Sequence, residues 1–120
     1  MEITFYNETG HSRTYLSSEK DNSFYTWDGH AVAYLYDDKI YGWKGKHLGW
    51  YFDGVIYDLN GYKIGSTREK CSYSPYSEDS KFSKFSRHSR FTRDSPYSKP
   101  SLTSMYANID LLEFITQDRV

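Results

Sequence analysis

Histidine side chains are the first candidates for metal chemistry in this chain. His11 and His30 each follow a glycine that recurs along the sequence, and imidazoles in equivalent places of a repeat can share a metal ion. The matching residues of the later repeats are Lys46 and Tyr62, which would not complete a ring of ligands. We therefore expect neither a metal ion nor another cofactor.

Carboxylates are the candidates for acid–base catalysis, but they fall in or beside turns, where Asp commonly accepts hydrogen bonds from nearby backbone N–H groups. No spacing singles out one pair of them, and the sequence has no glycine-rich phosphate loop, HExxH motif or nucleophile elbow. We expect no enzymatic activity and no catalytic residue. These carboxylates are Asp28, Asp37, Asp38, Asp53 and Asp58.

Aromatic side chains make up 19% of the chain, with 13 tyrosines. Rings with a polar tip suit half-exposed strands and binding surfaces. The three tryptophans, Trp27, Trp43 and Trp50, could stack on sugars. The predicted aromatic docking face consists of Tyr25, Trp27, Tyr41, Trp43, Trp50 and Tyr57.

Four copies of one short motif set the fold. Each copy ends in a turn-like pair such as Asp28-Gly29 or Asn60-Gly61, and a second turn such as Asp53-Gly54 lies between copies, which predicts antiparallel hairpins. We expect a mainly β domain over residues 1–67 with four pseudo-symmetric hairpins packed around a shared centre. The motifs are Phe5-Tyr6-x-x-x-Gly10, Phe24-Tyr25-x-x-x-Gly29, Ile40-Tyr41-x-x-x-Gly45 and Ile56-Tyr57-x-x-x-Gly61. The predicted strands are 3–7, 11–16, 24–27, 31–36, 40–43, 47–52, 55–59 and 63–67.

Residues 68–104 have a period of three. From Ser74 to Ser104 every third residue is Ser or Thr, the next is often basic and the third is often a ring. This period fits a polyproline-like helix, which has three residues per turn. The segment is either docked on the aromatic face or a disordered Ser-rich linker. If it docks, the predicted tail contacts are Phe82, Phe85, Phe91 and Tyr97.

Residues 105–120 form the third predicted unit. An apolar stripe that includes Ile109, Leu112 and Ile115 predicts an amphipathic helix over Met105–Asp118, capped by Ser104 or Asn108. The helix serves either as a lid on the core or, less favoured, as a site for a partner.

Charge is divided unevenly among the three units. The formal net charge is −1, but residues 1–67 carry −3, residues 68–104 carry +4 and residues 105–120 carry −2. The basic segment can attract the acidic body or an acidic partner. Alternating basic and Phe residues could also stack on single-stranded nucleic acid, but the near-zero total charge makes that partner unfavoured.

The location is expected to be cytoplasmic, without membrane association. The segment Met1–Thr4 lacks the features of a signal peptide, and no apolar stretch has the length of a transmembrane helix. The single Cys71 excludes an intramolecular disulfide framework.

The repeats resemble the four-fold beta flower domain, a small bacterial family. The resemblance covers residues 3–67 and is closest in Tyr41-Gly42-Trp43-Lys44-Gly45-Lys46-His47-Leu48-Gly49-Trp50, followed by Asp53-Gly54-x-Ile56-Tyr57-Asp58. It implies a C-terminal tail with a three-residue period and no established activity. A weaker resemblance, carried by Gly49-Trp50-Tyr51-Phe52-Asp53-Gly54, is to the aromatic cell-wall and choline-binding repeats. Their repeat spacing differs, and an export signal is missing here.

These observations together predict a small non-enzymatic scaffold or protein-interaction module whose tail docks on its own aromatic face. Its partner would be another protein, or a second copy of the chain engaged through the tail. The alternative function is a glycan or cell-wall binding module that stacks sugars on exposed Trp and Tyr side chains.

Overall fold

The computed structural model describes residues 2–18, 21–71, 74–78 and 80–120. Eight antiparallel strands follow one another around a closed barrel, and β8 returns to β1. The predicted mainly β fold with four hairpins is therefore confirmed. The strands are β1 (Glu2–Tyr6), β2 (Ser12–Ser17), β3 (Ser23–Tyr25), β4 (Ala31–Tyr36), β5 (Lys39–Gly42), β6 (His47–Phe52), β7 (Val55–Asp58) and β8 (Lys63–Ser66).

The repeat glycines build the outer turn of each hairpin. All four have a positive φ between 88° and 96°, a conformation that costs Gly little and other residues more. Each glycine N–H donates to the carbonyl three residues before it, as from Gly45 to Gly42 at 2.9 Å. The Asp58 carboxylate accepts from the N–H groups of Asn60 and Tyr62, both at 2.9 Å, so this carboxylate serves the turn.

The barrel interior is filled by the residue that precedes each repeat tyrosine. Phe5, Phe24, Ile40 and Ile56 are fully buried in one apolar cluster. Phe5 packs against Phe24 at 5.8 Å between ring centroids. Burial of side chains of this size contributes roughly 1.5–3 kcal/mol each, and one such residue from every hairpin joins the four repeats into a single core.

A short helix closes one end of this core. Helix α1 (Leu111–Thr116) buries Leu111, Phe114 and Ile115 in the same cluster. A methyl group on Gly49 would collide with the carbonyl of Tyr57 and press on the Phe114 ring. Gly49 is therefore small because neighbouring backbone and the helix both approach it closely.

The helix is shorter than the sequence suggested. Residues 104–110 do not form part of it, and Asp110 is the N-cap, accepting from the Leu112 N–H at 3.0 Å. The predicted caps Ser104 and Asn108 were wrong because the preceding chain pairs with β8. The Lys63 N–H donates to the Met105 carbonyl, and the Ala107 N–H donates to the Lys63 carbonyl, which holds this stretch extended.

The seam of the barrel lies between β8 and β1. These strands pair only at Tyr6 and Ser66, whereas the other neighbouring strands share several paired residues. Arg68, in a 3₁₀ turn over Arg68–Lys70, lies 5.4 Å from the Tyr6 ring centroid. No helix within the described ranges has the length and apolar character to cross a membrane.

We predict that Phe114→Ala lowers the free energy of unfolding by about 3–5 kcal/mol, because it leaves a cavity in the core. Leu112→Ala is the matched control on the same helix, since Leu112 is 41% exposed, and it should cost well under 1 kcal/mol. Urea unfolding followed by circular dichroism measures both. Equal losses for the two variants would show that the helix does not close the core.

Candidate functional site

A belt of extended chain wraps around the barrel, and the aromatic face lies beneath it. The belt is residues 74–104, of which the structure describes 74–78 and 80–104. Its backbone bonds to the turn glycines at regular intervals: the N–H groups of Tyr76, Phe85, Asp94 and Thr103 donate to the carbonyls of Gly10, Gly29, Gly45 and Gly61 at 2.8–2.9 Å. The donors are nine residues apart, so nine belt residues span each hairpin.

A second series of hydrogen bonds has the same spacing. The Phe82 N–H donates to the Trp27 carbonyl at 2.9 Å, and the Phe91 N–H donates to the Trp43 carbonyl at 3.0 Å. The next position is Pro100, which has no N–H to donate. The three-residue period noted in the sequence is therefore a component of a nine-residue structural repeat.

The length of the belt matches the girth of the barrel. With the belt included, the molecule measures 35 × 34 Å across its two longer axes, so three quarters of its circumference is roughly 80 Å, and the 27 steps from Tyr76 to Thr103, at about 3.1 Å each, also cover roughly 80 Å. An extended segment with three residues per turn therefore reaches all four hairpins without slack.

Basic side chains form the edge of the belt that faces the barrel. The Arg90 guanidinium lies 3.9 Å from the Tyr34 ring centroid and 5.0 Å from that of Trp43. Lys81 lies 4.7 Å from the Tyr15 ring centroid, one hairpin earlier. A cation over an aromatic face contributes about 0.5–2 kcal/mol, depending on how far it is desolvated.

Carboxylates between the hairpins complete these contacts. Glu2 accepts from Lys81 at 2.8 Å and from Lys84 at 3.0 Å. Asp21 accepts from Arg87 at 2.5 Å and from Arg90 at 2.9 Å. The acidic body and the basic segment thus attract each other within one chain.

The pKa values of both carboxyl groups are shifted by these contacts. The hydrogen bond from Lys81 lowers the pKa of Glu2 against the opposing effect of burial. Burial acts to raise the pKa of Asp21, but hydrogen bonds from Arg87 and Ser23 and the nearby guanidinium charges outweigh it and lower the pKa. Both groups are therefore ionised at neutral pH and able to hold the belt.

The predicted aromatic face lies beneath the belt. Trp43 and Trp50 are only 2% and 3% exposed, and the Trp43 indole donates to the His88 carbonyl at 2.8 Å. Tyr25, Tyr41 and Tyr57 are also buried, whereas Trp27 is half-buried beside Lys81.

The predicted tail contacts are made by backbone and not by ring burial. Phe82, Phe85, Phe91 and Tyr97 bond through their N–H groups, while their side chains are 66%, 56%, 53% and 61% exposed. The four residues therefore contact the barrel through their backbone, and the rings of Phe85 and Tyr97 also stack on His30 and His47. With three residues per turn only one edge can face the barrel, and the carboxylates and ring faces beneath the belt favour the basic edge.

The two candidate histidines of the turns are separated and stack on belt rings. His11 stacks on Tyr76 at 4.5 Å between ring centroids, and His30 stacks on Phe85 at 4.3 Å. Over residues 2–18, 21–71, 74–78 and 80–120, no group of three or more His, Cys, Asp or Glu side chains is placed to hold a metal ion.

His47 is a functional contact that sequence reasoning missed. It is buried against Trp50, its Nε2 lies 3.0 Å from the Gly49 carbonyl, and its Nδ1 accepts from the Tyr97 N–H at 3.0 Å. These partners require a neutral ring that carries its proton on Nε2. Burial lowers the pKa of His47, as does nearby Lys39, whereas the Gly49 hydrogen bond and Asp38 oppose the shift.

A sequence signal for the carboxylates was also overlooked. An acidic residue stands eight positions before every repeat glycine, at Glu2, Asp21, Asp37 and Asp53. The first two hold belt cations, and Asp53 pairs with Lys70 at 3.4 Å. In the third repeat the neighbouring residue Asp38 takes this role and pairs with Lys39 and Lys99, so the recurring carboxylate marks the junction between hairpins and not one exact position.

We predict that Gly45→Ala destabilises the protein by about 2–3 kcal/mol. Ala at a positive φ costs roughly 1–2 kcal/mol, and the new methyl group would displace the Thr92 carbonyl of the belt, weakening the adjacent hydrogen bond. Gly54→Ala is the control, because Gly54 also has a positive φ but meets the side chains of Lys70 and Thr67. Only Gly45→Ala should expose residues 89–97 to limited proteolysis; equal cleavage of both variants would contradict this role.

We predict that stability falls as the pH drops below about 6.5, the ordinary pKa of His. Because the folded-state pKa of His47 is lowered, the unfolded chain takes up the proton more readily. The stabilisation is complete above that pH and is lost towards the folded-state pKa. The melting temperature between pH 8 and 5 should lose this slope in His47→Gln and retain it in His88→Gln, a change in the exposed belt histidine; an unchanged slope in His47→Gln would refute the assignment.

Comparison with known proteins gives a family but no characterised relative. No curated protein and no solved structure matches the chain. The sequence profile described as 4-fold beta flower protein matches residues 3–115, a range that includes the barrel, the belt and most of helix α1. The match covers most of the chain and agrees with the four hairpins and their closed arrangement, so this protein belongs to the 4-fold beta flower family.

Proposed function

We propose that this protein is a small non-enzymatic scaffold that binds another protein through the outer edge of its belt. The observation that carries the proposal is the row of exposed rings at Tyr76, Phe82, Phe85, Phe91 and Tyr97, each more than half exposed. Exposed large apolar side chains along one ordered segment mark a candidate interaction site, and aromatic residues are common among the residues that dominate binding.

Rigidity of the belt supports this function. The rings project from a backbone held by hydrogen bonds to all four hairpins, and Tyr76 and Phe85 are further fixed by stacking on His11 and His30. A surface ordered before binding loses less conformational entropy when the partner arrives. The arrangement therefore favours binding of a partner over a flexible linker role.

The non-enzymatic part of the proposal rests on how the candidate catalytic groups are used. Asp58 accepts backbone hydrogen bonds in its turn, Asp21 holds two guanidinium groups, and both nitrogens of His47 have partners. Groups with these structural roles have little freedom to exchange protons with a substrate. We further propose a cytoplasmic setting, in keeping with the free thiol of Cys71.

The glycan-binding alternative has less support. Sugars would need the open faces of Trp27, Trp43 and Trp50, but Trp43 and Trp50 are buried and Lys81 lies over Trp27. Nucleic acid also has less support, because Lys81, Lys84, Arg87 and Arg90 point to carboxylates of the barrel.

A site-specific photo-crosslinking experiment tests the proposed function. We predict that a crosslinking amino acid at Phe85 captures a defined protein in the native cells, and that Phe82→Ser combined with Phe91→Ser abolishes capture. The melting temperature should stay within a few degrees of wild type because these rings are exposed. The control places the crosslinker at Met105, which is more exposed than Phe85 but lies outside the row.

Two results would count against a protein partner. Capture of the same proteins from Phe85 and Met105 would indicate nonspecific contact. Capture unaffected by the Ser substitutions would show that the rings are not needed for binding. A covalent dimer would identify a second copy of this chain as the partner. Quenching of tryptophan fluorescence by oligosaccharides would instead favour the glycan alternative.

A further inference from the structure

A cavity of about 610 Å³ lies between the second and third hairpins, where the belt crosses them. Strands β4 and β5 supply one wall and the belt supplies the other. The lining combines three tyrosines with three cations and has both charged and aromatic surface. The tyrosines are Tyr34, Tyr36 and Tyr41, and the cations are Lys39, Arg90 and Arg93.

The tyrosine hydroxyls give this cavity unused hydrogen-bond donors. Tyr34 and Tyr41 are stacked at 5.6 Å between ring centroids and are almost fully buried. Within the described ranges the hydroxyls of Tyr34, Tyr36 and Tyr41 make no hydrogen bond to the protein and are not among the buried unpaired polar atoms, so they are open to an acceptor from solvent or a ligand. Burial raises the pKa of Tyr41, so its hydroxyl keeps its proton and can donate.

Two of the three cations of the lining have a carboxylate partner, and Lys39 is paired with Asp38 at 3.4 Å. Within the described ranges Arg93 has no carboxylate partner, and its guanidinium lies 3.9 Å from the Tyr36 ring centroid. Arg90 shares a single oxygen of Asp21 with Arg87. Asp94 is the carboxylate of the lining.

We propose that this cavity binds a phosphate group carried by a small organic molecule. A phosphate offers more acceptor oxygens than a carboxylate, and the three hydroxyls and the Arg93 guanidinium together offer more donors than a carboxylate can use. The cavity is also larger than a phosphate alone requires, and the half-exposed Tyr36 ring gives the remainder of the molecule a flat surface to contact.

The corresponding cavity one hairpin earlier shows why the site is confined to this junction. It is smaller, at about 220 Å³, and includes Tyr25, Lys84 and Arg87. The Asp21 carboxylate also lines it and bonds to Arg87 at 2.5 Å. In that smaller cavity the Asp21 carboxylate therefore already occupies the position that a bound anion would take.

The test is isothermal titration of the full chain with phenyl phosphate, inorganic phosphate and benzoate at equal ionic strength. We predict saturable binding of phenyl phosphate that is tighter than that of benzoate. Loss of donors to a charged ligand should weaken binding about tenfold or more in Tyr34→Phe/Tyr41→Phe and in Arg93→Gln. Tyr25→Phe, the equivalent of Tyr41 one hairpin earlier, should bind as wild type does.

Each result decides the proposal. Binding of inorganic phosphate as tight as that of phenyl phosphate would support the site and identify free phosphate as its ligand. Benzoate binding as tight as phenyl phosphate binding, equal weakening by Tyr25→Phe, or no saturation up to about 10 mM would overturn it. Melting temperatures establish that the variants fold, and the Tyr→Phe changes retain the ring packing. Phe91 belongs both to this lining and to the row of rings proposed above, but the Tyr→Phe and Arg93→Gln variants leave that ring in place, so the two proposals are tested separately.

Discussion

An extended chain outside a sheet needs partners for its backbone, and in this protein the turn glycines supply them. A buried or half-buried N–H without an acceptor costs about 1–3 kcal/mol, so a segment of this length would not stay on a surface by side-chain contacts alone. The carbonyls of Gly10, Gly29, Gly45 and Gly61 accept from it once in each hairpin. The placement of every cation and ring in the belt follows from these four fixed points.

The belt in turn completes the barrel. The seam between β8 and β1 is joined only at Tyr6 and Ser66, and a sheet with an open edge would be prone to pairing with other chains. A continuous segment bonded to the first hairpin through Tyr76 and to the last through Thr103 holds the two sides of the seam at a fixed distance. The belt is therefore bonded to the hairpins on both sides of the seam.

Most of the barrel could be predicted from the sequence. Its strands recur at fixed distances from a turn glycine, and that turn requires a positive φ. The edge of the belt that faces the barrel could not be predicted from these repeats. A period of three offers a basic, an aromatic and a hydroxyl edge, and the apolar edge is the usual one to be buried. The basic edge faces inward because Glu2 and Asp21 lie between the hairpins, and their position becomes meaningful only once the barrel is closed. The extent of helix α1 was missed for a related reason: pairing of Met105 and Ala107 with Lys63 is a tertiary contact that overrides local helical preference.

The nine-residue spacing restricts which insertions and deletions the belt can accept. An insertion or deletion of one residue in the belt would rotate every later side chain onto a different edge, and one of three residues would keep the edges but miss the next glycine. Only a change of nine residues preserves both the inward-facing edge and the hydrogen bonds to the turn glycines. The barrel would then need one hairpin more or fewer. The barrel and the belt can therefore lengthen or shorten only together, so the number of hairpins and the length of the belt should change together in evolution.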